Sequence, residues 1–397
     1  MKNHILIIGA FDRYNYGDLL FPLIIEQQLQ TYEQSFIASY YGIVESDLSS
    51  VGGKPTQDIS SFYQRCSKRE GHTSVIVAGG EAVGVTWSSL LLSLNPLYKK
   101  THRFHQRINH IIDLNAIAKW WLHGKTDLPF VFTSSDFVGV DHVVFNSLGG
   151  SELQPSIFQQ YPHLVSKLRQ IDCFAVRDNA SQQVLAKVEV PVHLYPDSAI
   201  LMSKFFPVTE LERRVSNAVR EFVGQHQGRY VFFQIKNNHA KQHEQILAAQ
   251  LDAVARHSGL HLCLCPIGKA LNHDDHLALG RIAPLLNARY TLFNHVTIWD
   301  IMFLIAQSGT YIGTSLHGAI TAMSYAVPYV GLAVPKLDSY LNTWGVAPLN
   351  HTWPIDAVYS GFLHTLETDR DALEESRARQ LAAAEESFST IRQLVLC

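Results

Sequence analysis

The run His4-Ile-Leu-Ile-Ile-Gly9 sets four apolar side chains in a row and closes them with glycine. A strand with one wet face alternates apolar and polar residues. A short unbroken apolar run therefore reads as a strand buried on both faces, as in a parallel sheet. The pattern recurs at Ser74–Ala78, Pro129–Thr133, Val143–Ser147 and Asp172–Val176, and again at Arg229–Lys236, Leu260–Cys265, Thr310–Gly313 and Pro328–Ala333. Helical patterns lie between several of them, through about Gln30, over His239–His257, His273–Asn287 and Thr297–Gln307, and from about His317. Parallel strands need such crossovers. The expectation is an α/β chain of two Rossmann-like domains facing each other across a cleft, with ligands bound at the carboxyl ends of the strands.

The 397 residues suit two domains. The boundary is expected near Lys204–Arg213, giving 1–205, 206–355 and a helical tail over 356–397. With 47% hydrophobic and 17% charged residues the chain can bury a large core. Its formal net charge of −3 argues against general nucleic-acid binding. Cys66, Cys173, Cys263, Cys265 and Cys397 are odd in number, and Cys263 and Cys265 share one strand face, so they read as core thiols of a reducing compartment. No apolar run approaches the ~20 residues that cross a bilayer, and Ile5–Ala10 is too short for a signal h-region. A cytoplasmic chain is expected.

Four strand ends carry residues suited to chemistry. Asn15-Tyr16-Gly17-Asp18 follows the first strand; such a turn aims backbone N–H groups at an anion, with Asp18 as the expected helix cap. Gly79-Gly80-Glu81 opens a second glycine-rich loop, where a ligand can approach the backbone closely. Arg177-Asp178 closes the strand Asp172–Val176; the guanidinium can grip carboxylate or phosphate, or simply pair with the aspartate. Asp197, in Tyr195-Pro196-Asp197, suits a structural role as well as a functional one. Gly313-Thr314-Ser315-Leu316-His317-Gly318-Ala319 places an imidazole at the cleft mouth, with a free pKa of ~6.5 suited to proton transfer near neutrality. A capping or interface histidine is the plainer reading.

Lys99–Lys125 is a basic stretch with the pair Trp120-Trp121. It reads either as a face for an anionic acceptor or the inner face of a membrane, or as a solvated helix packed on its own domain. His239 and His243 have i,i+4 metal-ligand spacing, and His273 and His276 flank two aspartates, but neither pair has a well-spaced third ligand. No metal site is expected.

The ordered set of Asn15–Asp18, Gly79–Gly84, Val176–Ser181, Tyr195–Asp197, Ser315–Ala319 and Gly331–Lys336 resembles the polysaccharide pyruvyl transferase family over roughly residues 5–340. The resemblance implies a GT-B-like fold. It also implies transfer of the enolpyruvyl unit of phosphoenolpyruvate onto two hydroxyls of a sugar, forming a pyruvate ketal of a surface or exopolysaccharide. His317 matches the family's active-site histidine, and Arg177 a basic position. Many members carry Arg where this chain has Ser315, and another basic position is matched by Lys236. On this reading His317 does acid–base work. Arg177, Lys236 and Lys336 neutralise the donor, while Asn15, Gly17, Asp18, Gly79, Gly80, Glu81, Ser315, Leu316 and Gly318 line its seat. No cofactor is implied beyond phosphoenolpyruvate as donor. The acceptor is a sugar or a lipid-linked oligosaccharide, and a homo-oligomer is compatible. Two other functions fit the same motifs: a GT-B glycosyltransferase using a nucleotide sugar, and a non-catalytic carbohydrate-binding or scaffold protein.

Overall fold

The structure is a computed structural model that describes residues 3–95, 97–99, 113–150, 153, 155–226, 228–269 and 274–396. Twelve strands form two six-stranded parallel sheets among the described residues. The first contains β1 (Asn3–Ile8), β2 (Phe36–Tyr41), β3 (His72–Ala78), β4 (His142–Leu148), β5 (Cys173–Val176) and β6 (His193–Leu194), in the order β2-β1-β3-β4-β5-β6. The second contains β7 (Tyr230–Gln234), β8 (His261–Leu264), β9 (Tyr290–Leu292), β10 (Thr310–Gly313), β11 (Tyr329–Leu332) and β12 (Thr352–Trp353), in the order β12-β11-β10-β7-β8-β9. In each sheet the strand order reverses beside the first strand (β1 or β7), the switch point where open α/β sheets open a crevice.

The apolar runs became central strands because helices cover both their faces. Ile5 and Ile7 of β1 enter one core, and Leu6 and Ile8 another. The first core is continuous through both lobes: Leu20 and Ile24 of the helix Tyr16–Gln30 join Ile301, Leu304 and Ile320 of the second lobe. The terminal helix Arg370–Val395 returns to the first lobe and adds Phe388, Ile391 and Val395 to that core. The lobes are therefore welded along one side, and the expected cleft is confined to the strand ends.

Several sequence expectations are corrected. Pro129–Thr133 pairs with no strand; Phe130, Val131 and Phe132 are buried as coil against the first lobe's outer core. The edge strand β2 was missed because its side chains are mostly half-exposed and lack a continuous apolar run. The helix over His239–His257 is broken: Asn237–Ala240 and Glu244–Ser258 are separate, with Gln242 at φ 69° between them. His239 and His243 thus do not share one helical face. Asn15, not Asp18, is the helix cap, and Asp18 lies in the first turn. Within 99–125, residues 100–112 fall outside the described residues, as does His273.

Candidate active site

The carboxyl ends of β7 and β10 meet the turn after β1 at one pocket. Gln234, the last residue of β7, organises the C-lobe side. Its Oε1 accepts from the backbone N–H groups of Thr314 (3.1 Å) and Ser315 (3.0 Å). Its Nε2 donates to Asp275 Oδ2 at 2.8 Å. These bonds fix the loop that starts the helix Leu316–Ser324, and Ser315 caps that helix by accepting from Gly318 N at 3.2 Å. The N-lobe turn locks on by backbone pairing: Asn15 bridges Gly268, and Tyr16 N donates to Ile267 O at 3.3 Å.

His317 sits where the lobes touch and is 8% exposed. Phe21 packs edge-on against its ring at 5.4 Å. Its Nε2 is buried, 3.4 Å from Asp197 Oδ2, without a well-aligned hydrogen bond. The other ring nitrogen, Nδ1, lies against Gly17, and the ring borders the pocket. Gly17 makes the placement possible, because a Cβ there would run into the imidazole at Nδ1. Burial penalises the Asp197 carboxylate, yet the His317 ring, Arg177 and the Ala199 N–H outweigh it and hold its carboxyl below the usual range. A carboxylate that orients one imidazole nitrogen leaves the other to give or take a proton.

Arg177 lies behind this pair and is 1% exposed. Its Nη1 donates to Asp197 at 3.2 Å and its Nη2 to Glu81 at 2.8 Å, with Asp178 at 4.0 Å from Nε. Burial opposes its charge, but the three carboxylates more than offset that. Its guanidinium borders the pocket with internal partners already in place, which fits a residue that positions Asp197 better than one that clamps a donor. Glu81 is likewise bound to Arg177 and lies behind the pocket wall. Three bonds from the second lobe clasp this strand end: Trp344 Nε1 to Arg177 O (2.8 Å), Ser339 Oγ to Asp178 (2.8 Å) and Asn179 N to Thr343 Oγ1 (3.1 Å).

The pocket has a volume of about 250 Å³. Of the residues singled out from sequence, Asn15, Asp18, Gly80, Arg177, Lys236, Ser315, Leu316, His317 and Lys336 line it. Gly17, Gly79, Glu81 and Gly318 do not. Gly17 makes room for His317, and Gly318 abuts the Tyr311 ring. Gly79 adopts φ 130°, a conformation that other residues rarely take. Asp18 accepts from Asn15 Nδ2 at 2.6 Å; burial raises its pKa against the opposing pull of His317, Arg13, Asn15 and Lys336.

The structure adds Gln234, His239, Gly268 and Asp275 to the lining. Burial pushes Asp275 up to about 6, although Oδ2 accepts from Gln234, Ile267 N and Gly268 N. Its Oδ1 is buried without a hydrogen-bond partner. Burial, then Lys236 and His243, lowers the pKa of His239. The signal for Gln234 was a lone amide ending an apolar strand; nothing local marked Asp275. Among the described residues no group of three or more His, Cys, Asp or Glu is placed to hold a metal.

Structural comparison finds the same two-lobed fold in nucleotide-sugar enzymes. The UDP-GlcNAc 2-epimerase of Neisseria meningitidis, bound to UDP-GlcNAc, is similar with a TM-score of 0.56 at 10% identity, over 99% of this chain and 100% of that one. The UDP-N-acetylglucosamine 2-epimerase of Rickettsia bellii matches at 0.56 and 9% identity, over 100% and 97%. The trehalose 6-phosphate synthase of Burkholderia multivorans matches at 0.51 and 12%, over 99% and 95%. At such identities these likenesses show the fold, which is GT-B, and nothing finer. No curated protein matches by sequence. Residues 157–335 match the family described as polysaccharide pyruvyl transferase, a span holding Arg177, Asp197, Lys236 and His317. The chain therefore combines a GT-B fold with a segment, residues 157–335, that is similar to the polysaccharide pyruvyl transferase family.

Proposed function

We propose that this chain moves the enolpyruvyl group of phosphoenolpyruvate onto two hydroxyls of one sugar in a surface or exopolysaccharide, releasing phosphate and leaving a cyclic pyruvate ketal. The observation that carries the reading is the His317–Asp197 pair opening into a small pocket edged by Lys236 and Lys336. A cavity of about 250 Å³ lies at or below the lower end of the ~300–1,000 Å³ typical of pockets for larger ligands. It suits a compact, doubly acidic donor better than a nucleotide sugar.

The chemistry divides among these residues. A proton goes to the methylene carbon of the donor, and a sugar hydroxyl adds to the neighbouring carbon as it loses its own proton. The C–O bond to phosphate then breaks, and the second hydroxyl closes the ring, its proton leaving on phosphate or a basic group. The His317 imidazole moves the protons, with the Asp197 carboxylate beside its Nε2 to favour the charged ring. Asp18, held above the usual carboxylate range, is the second group able to take a hydroxyl proton. Lys236, Lys336 and the N–H groups at the start of the helix Leu316–Ser324 meet the donor's carboxylate and phosphate.

Ligand-induced stabilisation tests the donor. Phosphoenolpyruvate is expected to raise the melting temperature and UDP to leave it unchanged; the reverse would favour the nucleotide-sugar reading. Mass analysis of surface polysaccharide with and without the gene tests the product. Loss of one pyruvate-minus-water increment per ketal is expected, and unchanged polymer would refute the assignment. The same proposal includes a lipid-linked acceptor at the inner face of the membrane. The helix Leu114–Trp121 exposes Ile117, Trp120 and Trp121 beside Lys119, a pairing of aromatic and basic groups suited to a headgroup layer. Among the described residues no helix is long and apolar enough to cross a membrane.

A further inference from the structure

A second cavity, of about 590 Å³, lies at the other end of the C-lobe sheet. Arg229 precedes β7, Arg289 precedes β9, and His261 opens β8, so the cavity sits at the amino ends of strands whose carboxyl ends face His317. Arg256, on the helix Glu244–Ser258, closes one side. Three guanidiniums from three segments thus border one hollow in a chain whose net charge is −3. Among the described residues none of the three has a side-chain hydrogen bond or ion pair.

Asp252, the carboxylate in the lining, is already engaged. It accepts from Asn287 N (3.0 Å), Asn287 Nδ2 (2.7 Å) and Ala288 N (2.8 Å). The His226 and His261 rings lie 4.3 Å apart between centroids, tilted at 50° to each other. His226 Nδ1 is bonded to Phe222 O and His261 Nε2 to Thr291 Oγ1, which leaves one nitrogen of each ring available. The hollow is larger than the candidate active site, sets three guanidiniums against the single Asp252 carboxylate, which faces Arg256, and brings two imidazole rings to its wall. A concave cationic surface concentrates anions, and an arginine fork matches phosphate oxygens in pairs.

We infer that this cavity is a separate binding site for a phosphorylated small molecule bearing at least two negative charges. Arg229, Arg256 and Arg289 hold its phosphate oxygens, and the His226–His261 pair forms the floor. The site goes beyond the proposed reaction and shares no residue with it, so effector binding at one end of β7–β9 and chemistry at the other are separable.

Calorimetric titration of the full chain with inorganic pyrophosphate, at fixed ionic strength, tests this site. Binding is expected in the native chain and equally in Lys236→Gln/Lys336→Gln, which strips cations from the other pocket. Arg256→Gln/Arg289→Gln is expected to weaken it at least about tenfold, with an unchanged circular dichroism spectrum. The single change Arg229→Gln, at an exposed position, gives the same reading should the double variant unfold. Absence of binding up to about 10 mM, binding unaltered by the arginine changes, or loss confined to the lysine variant would each overturn the inference.

Discussion

Arg177 and the trio Arg229, Arg256 and Arg289 are chemically identical side chains in opposite situations. Arg177 is buried against Glu81, Asp178 and Asp197, and its fork is occupied from within. The trio lies open around a hollow with one pre-engaged carboxylate. A buried guanidinium with its counter-charges is part of the scaffold, and it passes its influence to His317 through Asp197. An open group of three guanidiniums with one carboxylate, Asp252, is under-compensated, and a ligand has to bring the rest of the negative charge. An arginine in a motif therefore says little until the carboxylates around it are known.

The largest expected effect that sharpens this contrast is on stability. Arg177→Met leaves carboxylates buried without their cation and should cost about 3–5 kcal/mol, read by denaturant unfolding. Arg289→Gln should stay within about 0.5 kcal/mol of the native chain. Similar costs for both would break the comparison.

Asp275 gives the next effect. Its folded value of about 6 exceeds the ordinary 3.8, so between those pH values the native state holds more proton than the unfolded chain. Stability then falls as pH rises through that window, by at most about 3 kcal/mol. Asp275→Asn keeps an oxygen for the Gln234, Ile267 and Gly268 donors and should flatten this slope. An unchanged pH dependence in the variant would contradict the assignment.

A smaller effect is expected at Gly17. At an exposed helix site Gly→Ala stabilises by up to about 1 kcal/mol. Here the added methyl meets the His317 ring, so Gly17→Ala should destabilise by about 1–3 kcal/mol and lower turnover through ring displacement. Stabilisation would mean that the imidazole is not held where Gly17 leaves room for it.

Much of the fold was legible because buried parallel strands leave continuous apolar runs, as at Ile5–Ile8 and Tyr230–Phe233. Edge strands such as β2 leave weaker traces, and Phe130–Phe132 shows that a buried apolar run need not pair. His317 and Asp18 could be picked out because they follow strand ends, where the fold converges, whereas Lys236 and Lys336 were marked only by the family resemblance. The partner relations could not. Asp197 sits behind His317, and Asp275 reaches Gln234 across 41 positions of sequence. Such pairings arise from crossovers and burial, which no local window records. At Ser315 the family resemblance implies arginine in many members; here the hydroxyl caps the helix that carries His317. The pocket's open cations come instead from Lys236 and Lys336.

The most direct test of the His317 assignment is acceptor-dependent phosphate release from phosphoenolpyruvate by His317→Asn, with folding checked by circular dichroism. Loss of general acid–base catalysis should lower turnover by about 10²–10⁴-fold, with Asp197→Asn falling in the same direction. Turnover by His317→Asn within about twofold of the native chain, against the loss general acid–base catalysis entails, would contradict the account.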